Sequence, residues 1–196
     1  LHSDQPKDRL RALRIATVSG LVQRLGQEVL ALTGDPDPFV RSCQMTALGR
    51  LDGPAGLVVL RRGLHDADLR VRANAIESLD RLDPPDLGEH LQRQLRAEDN
   101  RVRANAVRAL LKRKTPDAAR ALIEMFAGAD PSHRISAVWL ATTFGLAMMA
   151  PRVARLAKSD PDLQVRQAAT RALASLTGLS RPRHTAGSMA MAGQGA

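Results

Sequence analysis

Histidine and cysteine are the side chains most often found in metal sites and nucleophilic catalysis, and this chain has five histidines and one cysteine. The histidines share no common spacing, form no H-E-x-x-H motif and have no cysteine nearby; they stand at positions 2, 65, 90, 133 and 184. Cys43 has no candidate base or orienting group beside it in the sequence. Neither G-x-x-x-x-G-K-[ST] nor G-x-G-x-x-G is present. We therefore expect no metal, no cofactor and no catalytic activity.

Charge and composition restrict the class of partner and the compartment. The formal charge of +9 and the isoelectric point near 11.2 indicate an acidic partner: nucleic acid, an anionic membrane surface or an acidic protein. Alternatively, the arginine- and alanine-rich composition reflects a GC-rich genome. A single cysteine excludes an intramolecular disulfide, so we expect a reducing, cytoplasmic location. No apolar run is long enough to span a membrane, and the start at Leu1 leads us to expect a fragment of a longer protein.

Internal repetition is the strongest signal in the sequence. The pattern Asp-x-x-Val-Arg occurs five times, with His133 in place of valine in the fourth copy, where we expect it to be buried or half-buried. The arginines lie 31, 31, 31 and 32 residues apart. Apolar residues follow each arginine at helical spacing, so each copy predicts an α-helix.

A second pattern with the same period predicts another helix in each repeat. Pro54, Pro85 and Pro116 each precede leucines that are in phase, and proline is tolerated in the first turn of a helix. We expect first helices near 20–33, 54–65, 85–97, 116–128 and 149–158, and second helices near 37–51, 68–82, 99–113, 131–145 and 162–177. Pro151 falls four residues late in this register, which predicts an irregular stretch. The fold class is therefore all-α, a solenoid of about five two-helix repeats.

The repeat pattern also divides the chain. Residues 37–178 form the predicted repeat array, continuous with N-terminal helices in residues 1–36 that include an amphipathic helix over 5–18 and form a degenerate end repeat. Small, flexible residues predict a disordered tail over 179–196.

The aspartate and the arginine of each repeat lie four residues apart, and we interpret both as structural. The aspartate is expected to cap the second helix, while the arginine reaches an aspartate of its own or a neighbouring repeat. We call these residues the capping aspartates, Asp37, Asp68, Asp99, Asp130 and Asp162, and the ladder arginines, Arg41, Arg72, Arg103, Arg134 and Arg166.

This pattern resembles the HEAT repeats, specifically the short HEAT-like repeats of the phycobilisome-lyase type. The segments Val71-Arg72-Ala73-Asn74-Ala75-Ile76 and Val102-Arg103-Ala104-Asn105-Ala106-Val107 carry the resemblance, which covers residues 37 to 178, while the fourth unit departs from it at His133 and Ala141. The resemblance implies an α-solenoid that acts as a scaffold or adaptor. Some members attach or remove bilin chromophores, but the repeat itself does not encode that activity.

Positions that recur with the repeat on the second helices predict the binding surface. Nine residues after the ladder arginines stand Arg50, Arg81 and Lys112, and five residues after them stand Arg108, Trp139 and Arg171. We call Arg50, Arg81, Arg108 and Lys112 the basic row. Its alternative interpretation is an ordinary solvated face that is balanced by Asp52, Glu77, Asp80 and Asp83. Trp139 is either an interface residue or buried in the irregular fourth repeat.

Two hypotheses follow from this surface. The first is a non-catalytic scaffold that binds a protein partner, through an acidic or amphipathic segment, on the second helices. The alternative is that the same row binds the phosphates of duplex DNA. Aromatic residues make up only 2% of the chain, which argues against stacking on single-stranded nucleic acid.

Overall fold

The computed structural model describes residues 1–177 and shows an all-α fold, as the sequence predicts. Eleven α-helices and two short 3₁₀ helices, and no strands, make up this part of the chain. The α-helices are α1 (Pro6–Val18), α2 (Gly26–Leu30), α3 (Pro38–Leu48), α4 (Pro54–Gly63), α5 (Leu69–Leu82), α6 (Leu87–Leu91), α7 (Asn100–Lys112), α8 (Pro116–Phe126), α9 (Pro131–Thr143), α10 (Ala150–Ser159) and α11 (Leu163–Leu176). The 3₁₀ helices are Arg93–Arg96 and Ala147–Met149. The predicted tail, 179–196, lies outside the described residues.

The second helices stack on one another in chain order. Helix α1 packs against α3, and α5, α7, α9 and α11 continue the same layer. The first helices of the repeats pack against this layer and bury an apolar core, whose largest fully buried side chains include Leu48, Leu60, Ile76, Leu110 and Phe126. Each unit thus contacts its neighbours in sequence, which is the architecture of a solenoid.

Each repeated aspartate caps the helix that follows it. The carboxylate of Asp37 accepts hydrogen bonds from the backbone N–H groups of Phe39 and Val40, and Asp68 does the same at the start of α5. Asp99, Asp130 and Asp162 each accept one such bond. These bonds satisfy N–H groups that have no partner within the first helical turn, and they place all five second helices in one register.

Two of the first helices are shorter than predicted. The helix expected over 20–33 is reduced to α2. Gly20, with a φ of +70°, follows the C-cap of α1, and residues 21–25 form turns. The helix expected over 85–97 is divided into α6 and the 3₁₀ helix Arg93–Arg96. Pro85 does not begin a helix but lies in a turn, in which the N–H of Leu87 donates to the carbonyl oxygen of Pro84. Pro54 and Pro116 do begin helices, and the irregularity near Pro151 is the 3₁₀ helix before α10.

Two residues considered for chemistry take structural positions. His133 is buried, as the valine slot predicts, and lies against Gly128. Cys43 is half-buried on α3, and burial raises the pKa of its thiol, which disfavours the nucleophilic thiolate. No group of three or more metal-binding side chains occurs within residues 1–177. None of the helices there has the length and hydropathy that a membrane crossing requires.

Candidate functional site

Two of the ladder arginines, Arg41 and Arg134, connect successive repeats through an aspartate other than the capping one. Arg41 binds Asp66 with both Nε and Nη2, each at 2.9 Å, while its Nη1 donates to the carbonyl oxygens of Asp35 and Pro36. Arg134 binds Asp160 in the same two-pronged manner, at 2.7 and 2.9 Å. The carboxylate that each arginine binds belongs to the neighbouring repeat and stands two residues before its capping aspartate. The caps are already occupied by backbone N–H groups.

Arg9 on α1 is a further ladder arginine that the sequence reading missed. Its Nε and Nη2 bind Asp35 at 2.7 and 2.9 Å, and its Nη1 donates to the carbonyl oxygens of Ser3 and Asp4. The signal was present, because Arg9 precedes Arg41 by 32 residues and an aspartate stands two residues before the cap in three repeats. The N-terminal helix is thus the second helix of an end repeat.

These ion pairs and caps hold carboxylates in their charged form. The guanidinium of Arg134 lowers the pKa of Asp160, and that of Arg41 lowers the pKa of Asp66. At the cap of α5, the guanidinium of Arg70 and the backbone N–H groups lower the pKa of Asp68 to about 2. Each carboxylate therefore binds protons less readily in the folded chain than in the unfolded chain.

We expect the array to lose stability in acid. Because the folded pKa values are depressed, the stabilisation is fully present above about pH 4 and is lost as the pH falls toward about 2. The free energy of unfolding, measured by denaturant titration at several pH values, should decline across that window. In Asp68→Asn the decline should be smaller, because this variant lacks one carboxylate whose pKa is lowered by folding. A stability that stays constant from about pH 5 to pH 2 would contradict this assignment.

The ladder is interrupted in the middle of the array. Ala97 and Gly128 stand where the other repeats carry the bound aspartate. Arg72 consequently has no carboxylate partner within residues 1–177, although its Nη1 donates to the carbonyl oxygens of Asp66 and Ala67. Arg103 pairs with Glu124 of the neighbouring first helix at 2.8 Å. Within residues 1–177, the guanidinium of Arg166 makes only the carbonyl contacts, to Asp160 and Pro161.

The basic row lies at the carboxyl ends of the second helices. Arg81 is in the last turn of α5, Lys112 is the last residue of α7, and Arg50 follows the end of α3. Arg50, Arg81 and Lys112 are exposed, whereas Arg108 is half-buried. Positive charge is favourable at this end of a helix, so the row also complements the helix dipoles modestly.

Contacts join the row into one surface. The guanidinium of Arg81 lies beside Gly49, the residue before Arg50, and a Cβ at Gly49 would be 2.9 Å from Nη1 of Arg81. Lys112 and Arg108 both bind the buried carboxylate of Asp80, at 2.6 and 3.3 Å. Asp80 directly precedes Arg81 in α5. The four cations of the row therefore follow one another across α3, α5 and α7.

Only one of the four acidic residues considered as balancing charges contacts the row. Glu77 pairs with Arg101, and Asp83 pairs with Arg113. Asp52 forms no ion pair within the described part of the chain, and only Asp80 binds members of the row. One carboxylate against four cations leaves the row with an excess of positive charge.

Trp139 and Arg171 occupy, on the next two second helices, the repeat position that Arg108 occupies on α7. Trp139 lies on α9 with 51% of its area exposed, and Arg171 is exposed on α11. An indole that is half in water is not a core side chain, and exposed aromatic residues are enriched where partners bind.

We expect Trp139→Ala to separate binding from stability. If Trp139 contacts the partner, the substitution should weaken partner binding by roughly 2 kcal/mol, while the free energy of unfolding changes by less than about 1 kcal/mol. Calorimetric titration and thermal unfolding of the same variant measure the two quantities. A loss of stability without a loss of affinity would show that Trp139 does not contact the partner.

The fold and its repeated contacts define the class of protein. The chain is an α-solenoid of two-helix repeats, and the family model for HEAT repeats matches residues 1–79 and 59–130. The chain therefore belongs to the HEAT repeat family. No curated protein matches it over its sequence.

Solved structures with the same fold are only distantly similar in sequence. The complex of CpcE and CpcF of phycocyanin lyase from Nostoc sp. PCC7120 aligns with a TM-score of 0.54 at 20% identity, covering 76% of this chain and 98% of that one. A designed armadillo repeat protein aligns at 0.51 and 18% identity, covering 89% and 96%. Another, in complex with the peptide (KR)4, aligns at 0.54 and 18% identity, covering 88% and 95%.

Proposed function

We propose that the chain is a non-catalytic scaffold that binds an acidic or amphipathic segment of a protein partner on the second-helix surface. The observation that carries the proposal is the basic row, where Arg50 and Arg81 have no carboxylate partner within residues 1–177. Such an uncompensated, periodic arrangement attracts an extended acidic ligand and orients it along the array.

An apolar contact distinguishes this partner from a purely charged one. Trp139 is the only tryptophan in the chain and lies exposed on α9, which packs against α7 of the basic row. A segment that places carboxylates on the row and an apolar side chain on the indole matches both features. The armadillo structure with a (KR)4 peptide supports only the general idea that a solenoid of this fold accommodates a peptide, because that peptide is basic and the ligand proposed here is acidic.

Titrations with two ligands at two salt concentrations test the class of partner. An acidic amphipathic peptide should bind with a modest dependence on salt, because part of its affinity comes from apolar contacts. Affinity for duplex DNA would fall steeply, with a log–log slope of about −0.9 for each phosphate neutralised. Peptide binding that exceeds DNA binding at about 200 mM salt supports the proposal. The reverse order, with a steep slope, favours DNA binding, and no binding of either ligand overturns the assignment.

A further inference from the structure

The interruption of the ladder at Ala97 leaves an arginine without the carboxylate that its counterparts bind. In the neighbouring repeat, one carboxylate receives three N–H donors. Asp66 accepts from Nε and Nη2 of Arg41 and from the backbone N–H of Asp68, all at 2.9 Å. Asp160 has the same three kinds of donor, at 2.7, 2.9 and 2.9 Å. The array thus repeats a site with three N–H donors for one carboxylate, and in these repeats an aspartate of the chain itself provides that carboxylate.

At the third repeat the N–H donors of Arg72 and of the Asp99 backbone remain, but Ala97 stands in place of the aspartate. Nη1 of Arg72 donates to the carbonyl oxygen of Asp66 at 2.6 Å, the same type of contact that orients Arg41 and Arg134. Its Nε and Nη2 have no acceptor within residues 1–177, and neither has the backbone N–H of Asp99. The guanidinium is therefore already oriented for a carboxylate that Ala97 does not provide.

A cleft opens at this position. It has a volume of about 1250 Å³, and its lining includes Arg72, Ala97 and Asp99 together with the apolar side chains of Leu69, Leu95 and Val102. Where the aspartate is present, at the position of Arg41 and Asp66, the corresponding cleft measures about 310 Å³. A volume of this size is in the range of ligand pockets and exceeds what a single small carboxylate fills.

We propose that Arg72 and the N–H of Asp99 bind one carboxylate from the side chain of an aspartate or glutamate in a partner polypeptide, with flanking apolar residues in the cleft. The charges around the cleft favour a singly charged group. Four arginines line it, Arg72, Arg93, Arg96 and Arg120, and so do five carboxylates, Glu98, Asp99, Asp117, Glu124 and Asp130. Three of these carboxylates are already engaged, because Asp99 and Asp130 cap helices and Glu124 pairs with Arg103. These carboxylates repel a polyanion such as nucleic acid, whereas one carboxylate between apolar residues meets the donors and the leucines together.

This site is distinct from the basic row. Arg72 lies near the amino end of α5 and Arg81 near its carboxyl end, about 13 Å apart along the helix axis at 1.5 Å per residue. The inference rests on the proposed function only in assuming a protein partner. Variants at Ala97 and variants in the row therefore test the two proposals separately.

Two capped tripeptides serve as probes of the full chain, acetyl-Leu-Asp-Leu-amide and acetyl-Leu-Asn-Leu-amide. In ¹⁵N-resolved NMR titrations the aspartate peptide should shift the Nε–H signal of Arg72 and the amide signal of Asp99. The asparagine peptide, which has the same shape without the charge, should bind at least tenfold more weakly. Equal responses to both peptides, or none at either signal, would overturn the proposal.

Ala97→Asp supplies the missing carboxylate from within the chain, and Ala97→Asn is the matched control. The aspartate variant should raise the melting temperature by several degrees above that of the asparagine variant, because it completes the three-donor site. It should also abolish the response to the aspartate peptide. If Ala97→Asp is no more stable than Ala97→Asn, or still binds the peptide, Arg72 is not oriented for a carboxylate. The shift of the Arg72 Nε–H signal on addition of the aspartate peptide should persist in the variant Arg50→Glu, Arg81→Glu. The two proposals can therefore fail independently of each other.

Discussion

Arg134→Ala should destabilise the array by roughly 3 kcal/mol. The substitution removes a guanidinium that binds Asp160 at 2.7 and 2.9 Å, with only 9% and 2% of the two side chains exposed. Asp160 would remain buried with its charge uncompensated, and breaking one side of such a pair is strongly destabilising. It would also free the carbonyl oxygens of Gly128 and Ala129, which accept from Nη1. Denaturant unfolding of the variant measures the loss.

Arg72→Ala is the matched control for that measurement. It removes a ladder arginine with the same carbonyl contacts but no carboxylate partner within residues 1–177, so the loss should be nearer 1 kcal/mol. Equal losses for the two variants would show that the carbonyl contacts, and not the ion pair, stabilise the junctions between repeats.

Reversal of Arg50 and Arg81 to glutamate should weaken binding of an acidic peptide by at least about tenfold, or 1.4 kcal/mol. Both side chains are exposed, and neither has a carboxylate partner in the described part of the chain. Lys112 is left unchanged, because a glutamate there would face the buried carboxylate of Asp80 and destabilise the fold. The melting temperature of the double variant should stay close to that of the wild type.

A second double variant controls for net charge. Arg62 and Arg155 are exposed on the first helices α4 and α10, outside the row, and their reversal changes the net charge by the same amount. It should reduce peptide affinity much less than the reversal of Arg50 and Arg81. If the two double variants weaken binding equally, the attraction comes from total charge and not from the row.

The repeat period was sufficient to predict the solenoid. Asp68 and Arg72, and their counterparts every 31 residues, locate the second helices because a capping aspartate and an apolar helical pattern are both local signals. The breaks in the first helices were less predictable. The helix expected over 85–97 divides between Leu91 and Arg93, within a sequence whose leucine spacing remains helical.

Partners across repeats could not be read from spacing alone. The aspartates that bind the ladder arginines, such as Asp66 and Asp160, stand in the sequence two residues before a cap, but their pairing depends on the offset between stacked helices. Asp80 on α5 likewise binds Arg108 and Lys112 of the following repeat, a pairing that also depends on how the helices stack. The positions of the row recur with the period, but the spacing did not indicate that Arg108 is half-buried against Asp80.

Binding of a protein partner on the basic row is tested most directly by one affinity comparison. A partner is first captured with the wild-type chain and purified, and its dissociation constant is then measured for wild type and for the double variant Arg50→Glu, Arg81→Glu. The double variant should bind at least about tenfold more weakly, with an unchanged fold by circular dichroism. An affinity that is the same for both proteins would contradict it, because the row would then be only a solvated face of the array.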